Sequence, residues 1–99
     1  MELTVTQENL TRALTAVGRV ASTKTQLPIL SNILLRTDGT RLLIAATNLE
    51  IAATQLIGAK IAKPGSITIP AKLVAEFVAS LPKGNVELLV KNDHLHIKA

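Results

Sequence analysis

Twice along this chain a stretch of period-two alternation runs straight into a helical period and is followed by hairpin-linked strands. That repeated order constrains the fold more than any single residue does. In the first round Glu2-Leu3-Thr4-Val5-Thr6 alternates polar and apolar, as a half-buried strand does. Thr6 is placed to cap a helix, with Val5 before it and Leu10 after it positioned as a hydrophobic staple. Leu10, Ala13, Leu14, Val17 and Ala21 recur at spacings of three and four. They form one apolar face of a helix running through about Val20, with Arg12 and Arg19 off that face. Polar Ser22 to Gln26, then Pro28, make Ser22 to Leu30 a loop. From Asn32 the period returns to two. Ile33 to Arg36 and Arg41 to Ala46 are the strands of a hairpin turning at Asp38-Gly39. Thr47 to Glu50 is a further turn, and Ile51 to about Ala62 a long strand, bent at Gly58 and ending at Pro64-Gly65.

The second round begins with the short strand Ser66 to Ile69, and Pro70 suits the first position of a helix. Leu73, Val74, Phe77, Val78 and Leu81 give that helix its expected buried face, and Pro82-Lys83-Gly84-Asn85 stops it. Val86 to Val90 and Leu95 to Ala99 are strands joined at Asn92-Asp93. The first round is thus strand, helix and three strands; the second is the same with its last strand missing. The expected class is α+β, with two helices packed on one face of a mainly antiparallel sheet. Residues 1–99 read as one domain, incomplete at its C-terminal end.

Composition narrows the function. Hydrophobic residues make up 47% of the 99, enough for a core. Eleven Lys and Arg against seven Asp and Glu give a net charge of +4, which favours a polyanion without demanding one. Phe77 is the single aromatic residue, so stacking of unpaired bases is disfavoured and phosphates are the expected contact. The chain has no cysteine, which removes disulfides and thiolate metal sites and fits a cytoplasmic protein. No signal-peptide pattern precedes the first strand, and no apolar run approaches the roughly 18 residues of a membrane span.

Enzyme chemistry finds little to stand on. His94 and His96 lie two apart on one strand face, a spacing some metal sites use, but no third ligand accompanies them. There is no nucleophile-elbow pattern and no histidine outside that strand. Gly18, Gly39, Gly58, Gly65 and Gly84 are too dispersed for a phosphate loop. Glu8, Glu50 and Glu76 could meet in the fold, though nothing in their spacing requires it. No catalytic residue, metal ligand or cofactor is assigned.

Five short motifs, in order, resemble those of one family. Leu27-Pro28-Ile29-Leu30 resembles the LPIL segment of bacterial sliding clamps, the beta subunits of DNA polymerase III. Thr47-Asn48-Leu49-Glu50 resembles their T-D-L-E turn, with Asn48 in place of the usual Asp. Ile69-Pro70-Ala71-Lys72 resembles the V-P-A-R or V-P-A-K entry to the second helix, and Leu81-Pro82-Lys83-Gly84 the L-P-x-G that ends it. Leu3-Thr4-Val5 with Leu10 resembles the F-T-V strand and first helix. Each motif is weak alone; together they span essentially the whole chain. Leu73 departs from some relatives, which carry a basic residue there that is thought to help the subunit contact.

The resemblance implies a non-catalytic processivity factor. Each subunit of that family has three such domains, and two subunits form a homodimer ring around duplex DNA, helices inward. The replicative polymerase and clamp loader dock through domains absent from this segment. Inner-face cations then meet the phosphate backbone without regard to sequence. The candidates are Arg12 and Arg19 on the first helix, Lys24 in the following loop, and Lys72 at the start of the second helix. Lys24 and Lys72 stand where relatives carry basic residues near DNA. Each of the four also fits the role of an ordinary solvated charge. The rival reading is a free-standing basic nucleic-acid-binding or interaction module.

Overall fold

Alternation in the first residues becomes strand β1, Glu2–Thr6, with Leu3 and Val5 buried. The computed structural model describes residues 1–21, 32–47 and 52–99, without the side chains of Val20, Ala21 and Thr47. Helix α1, Gln7–Ala21, follows β1 directly. Thr6 caps it as expected, its Oγ1 accepting the Asn9 N–H at 3.3 Å. Val5 and Leu10, the two ends of the predicted staple, are both buried.

Strands β2 (Asn32–Asp38) and β3 (Arg41–Thr47) form the expected hairpin, closed by the pairing of Asp38 with Arg41. The long strand expected from the sequence is present but broken. It forms β4, Ala52–Gly58, and β5, Lys60–Lys63, with Ala59 between them. The break has a reason: β4 pairs with β3, whereas β5 pairs with β1 in a different sheet. β6 is Ser66–Pro70, α2 is Ala71–Ala79, and β7 (Asn85–Lys91) and β8 (His94–Lys98) make the last hairpin. Its turn residues Asn92 and Asp93 have φ of 54° and 61°, the positive values a two-residue turn needs to match strand twist.

The architecture is α+β, two helices packed on antiparallel strands, and the strands divide into two four-stranded sheets. Their orders are β5-β1-β7-β8 and β4-β3-β2-β6. The first strand of each round pairs with the strand following the helix of the other round, β1 with β7 and β6 with β2. The two rounds therefore interlock and share one core. Leu10, Leu14 and Val17 of α1 meet Ile33, Leu35, Leu42, Ile44, Val78, Val86 and Leu88 there. None of the described helices is long and apolar enough to cross a membrane.

Two expectations for α2 need correction. Pro70 is the N-cap and last residue of β6, with ψ of 124°, and not the first helical residue. Leu73 and Phe77, expected in the core, are 68% and 48% exposed. The buried residues of α2 are Ala71, Val74 and Val78. Spacings of three and four from Ala71 define a narrow face, and Leu73 and Phe77 fall on its flank. They border an apolar cleft of 530 Å³ between β6 and β8. Among the described strands, β6 and β8 lie at the ends of their sheets, so no strand covers that flank.

Candidate nucleic-acid interface

The apolar face of α1 leaves its opposite face to solvent, and four residues stand there at spacings of four, three and four: Glu8, Arg12, Thr15 and Arg19. Arg12 and Arg19 are seven residues apart, two turns along one stripe, or roughly 10 Å. Arg12 Nη2 lies 3.3 Å from Glu8 Oε1, an exposed i,i+4 pair with the acid N-terminal to the base. Such a pair stabilises a helix by only about 0.3–0.5 kcal/mol. A phosphate can therefore displace Glu8 from Arg12 at little cost. Arg19 sits in the last turn of α1, where a cation is favoured by the helix dipole.

On α2 the equivalent exposed stripe is Lys72, Glu76 and Ala79. Lys72 stands in the first turn, one residue beyond buried Ala71. The structure thus leaves Arg12, Arg19 and Lys72 exposed on two packed helices, while Lys24 lies outside the described residues. Carboxylates Glu8 and Glu76 share the two stripes. A surface of this mixed charge attracts a polyanion weakly. His94 and His96 are both exposed on β8, beside the inward-facing Leu95 and Ile97.

One residue to which the sequence alone assigns no role joins the helices. Gln7, 8% exposed, is the one buried polar or charged residue among those described. Its Nε2 donates to the Val78 carbonyl of α2 and to Thr11 Oγ1, each at 3.0 Å. Its backbone N–H donates to the Gly84 carbonyl at 2.8 Å. The available signal was positional. Gln7 stands three residues before Leu10 and seven before Leu14, on the apolar stripe itself, where a polar side chain needs a partner.

The family model for the DNA polymerase III beta subunit, N-terminal domain, matches residues 1–99. This chain belongs to that family. The clamp domain is 42% identical over 84 residues to the beta sliding clamp of Caulobacter vibrioides, covering 85% of this chain and 23% of that protein. It is 34% identical over 104 aligned residues to the beta sliding clamp of Pseudomonas aeruginosa, covering 100% and 28% respectively. Among solved structures, Caulobacter crescentus pol III beta superposes with a TM-score of 0.91 at 39% identity, over 99% of this chain and 27% of that one. The Helicobacter pylori beta clamp bound to a DNA ligase peptide superposes with a TM-score of 0.93 at 27% identity, covering 100% and 28%. This clamp domain spans about a quarter of the length of the relatives it matches. Of the five resembling motifs, the LPIL segment and all of the T-D-L-E turn but Thr47 lie outside the described residues.

Proposed function

We propose that this chain is the N-terminal domain of a processivity factor, a ring that encircles duplex DNA and tethers the replicative polymerase without sequence specificity. The observation that carries the reading is the family match across the whole chain, joined to a fold whose exposed helix stripes hold Arg12, Arg19 and Lys72. The mechanism is topological and non-enzymatic. A closed ring need not bind tightly, and a mixed-charge helical surface on flexible stems suits phosphate contacts that break and re-form during sliding. The site assignment is Lys24, Lys72, Arg12 and Arg19 on phosphates. Homodimer ring closure, docking of polymerase and clamp loader through other domains, and cytoplasmic location follow from the same reading. The Helicobacter pylori beta clamp, solved bound to a DNA ligase peptide, supports the expectation of peptide partners.

The test compares binding of two unrelated duplexes. Without ring closure, the 99-residue chain is expected to bind each with a Kd of about 10⁻⁴ M or weaker at physiological salt. Lys24→Glu and Lys72→Glu should weaken binding to both duplexes equally, because a phosphate contact carries no base information. Fluorescence anisotropy at low ionic strength reads the change. A tight complex with one duplex and not the other would mean a free-standing sequence reader.

A further inference from the structure

We propose that Gln7 is a positioning residue. By tying the first turn of α1 to the last turn of α2, it sets how the exposed cations of the two helices lie relative to one another. The inference rests on the reading of those helices as the DNA-facing surface, and it adds a residue that itself touches no DNA.

The last carbonyls of a helix have no partner within it. Val78 is the second-last residue of α2, and its carbonyl accepts both the Leu81 N–H at 3.1 Å and the Gln7 amide at 3.0 Å. The Gln7 side chain thereby reaches a residue 71 positions away in sequence. Its backbone N–H holds the Gly84 carbonyl in the segment after α2. One residue thus fastens the start of α1 to the end of α2 through both side chain and backbone.

The first turn of α2 is held in a different way: its N-cap, Pro70, is the last residue of β6 and pairs with Asn32 of β2. Gln7 is the first residue of α1, and the corresponding first residue of α2 is Ala71, whose side chain can only pack. Removal of the Gln7 side-chain link therefore loosens the last turn of α2 and lets that helix pivot about its first turn against α1 while the apolar packing remains. Lys72, in the first turn of α2 beside that pivot, changes direction with the helix, while Glu76 in the loosened half is displaced farther. Arg12 and Arg19, on α1, then no longer keep a fixed relation to Lys72.

The experiment uses Gln7→Met, which keeps side-chain volume and removes the donor. The Val78 carbonyl retains Leu81 as a partner, and the Gln7 backbone bond to Gly84 is untouched, so the fold is expected to survive. Gln7→Asn keeps the donor on a stem too short to reach and serves if the methionine variant unfolds. Thr11→Val, which removes only the hydrogen bond within α1, is the control. The chain has no cysteine of its own, so Thr15→Cys with Glu76→Cys carries a spin label on each helix.

Gln7→Met should broaden the interhelical distance distribution while Thr11→Val does not. It should also lower the salt slope of duplex binding, by about 0.9 for each phosphate no longer neutralised, although no charge has been removed. An unchanged distance distribution, or a broadened one with an unchanged slope, overturns the positioning role. Arg12→Ala and Lys72→Ala separate the two hypotheses. If neither alters the slope, the helix face is not the DNA surface and the functional reading itself fails.

Discussion

Two glycines show how far one residue type can differ by place. Gly18 lies in α1 with nothing within 4 Å of the position a Cβ would take. Gly65 lies between β5 and β6, where a Cβ would stand 2.8 Å from Met1 Cβ and 2.9 Å from Met1 N. Met1 cannot easily yield, because its carbonyl accepts the Val90 N–H at 2.8 Å. Gly65 is held as well: it donates its N–H to Thr37 Oγ1 at 2.9 Å and accepts the Thr37 N–H at 2.9 Å. The same substitution should therefore act in opposite directions. Gly65→Ala is expected to destabilise by about 1–3 kcal/mol through overpacking. Gly18→Ala is expected to stabilise by about 0.5–1 kcal/mol, since a helix interior prefers alanine. Urea titration reads both as midpoint shifts at constant slope. Shifts of the same sign would contradict the described packing of Met1.

Helix α2 is the element where sequence and structure diverge most usefully. Its apolar residues are numerous enough to suggest two faces at once, Leu73-Phe77 and Val74-Val78. Periodicity shows that each pair is aligned but not which pair faces inward. The choice falls to α1, which packs against α2 and sets the direction of the core. Val78, fully buried, should cost about 2 kcal/mol when cut to alanine. Leu73, mostly exposed, should change stability by less than about 0.5 kcal/mol. Thermal unfolding of Val78→Ala and Leu73→Ala distinguishes them. Comparable destabilisation would restore the sequence-based face. By contrast, α1 was legible throughout its described apolar stripe, because one face only is apolar and Thr6 marks its start.

Across the domain, the two rounds treat their sheet edges differently. In the first round, the β4–β5 segment covers β3 and then crosses to cover β1. The corresponding edges of the second round are β8 and β6, and both end their sheets among the described strands. Between them lies the cleft bordered by Leu73, Phe77, Leu95 and Ile97. A strand laid along β8 and bent toward β6 would repeat the β4–β5 arrangement. Free strand edges are templates for pairing with another chain. This chain is therefore expected to self-associate as its concentration rises. A version carrying an added strand after Ala99, on the pattern of β4 and β5, should melt higher and sediment as a cleaner monomer. Equal melting temperatures, with the 99-residue chain monomeric throughout, would show that the domain is already complete.

Periodicity, capping and turn residues act within a few positions, and they were enough to set the elements, their order and their pairing into hairpins. Motifs spread along the chain were likewise enough for the family, and the same local patterns marked Arg12, Arg19 and Lys72 as off the apolar faces or at a helix start. Whatever depends on distant residues meeting was settled in three dimensions. Sheet pairing broke one long strand into β4 and β5 so that each half could complete a different sheet. Packing turned Leu73 and Phe77 outward, because a helix of nine residues can bury only the face its neighbours cover. Folding also made Gln7 a link between helices, since a buried amide takes its meaning from a carbonyl 71 residues away. No local pattern in the sequence encodes that distance.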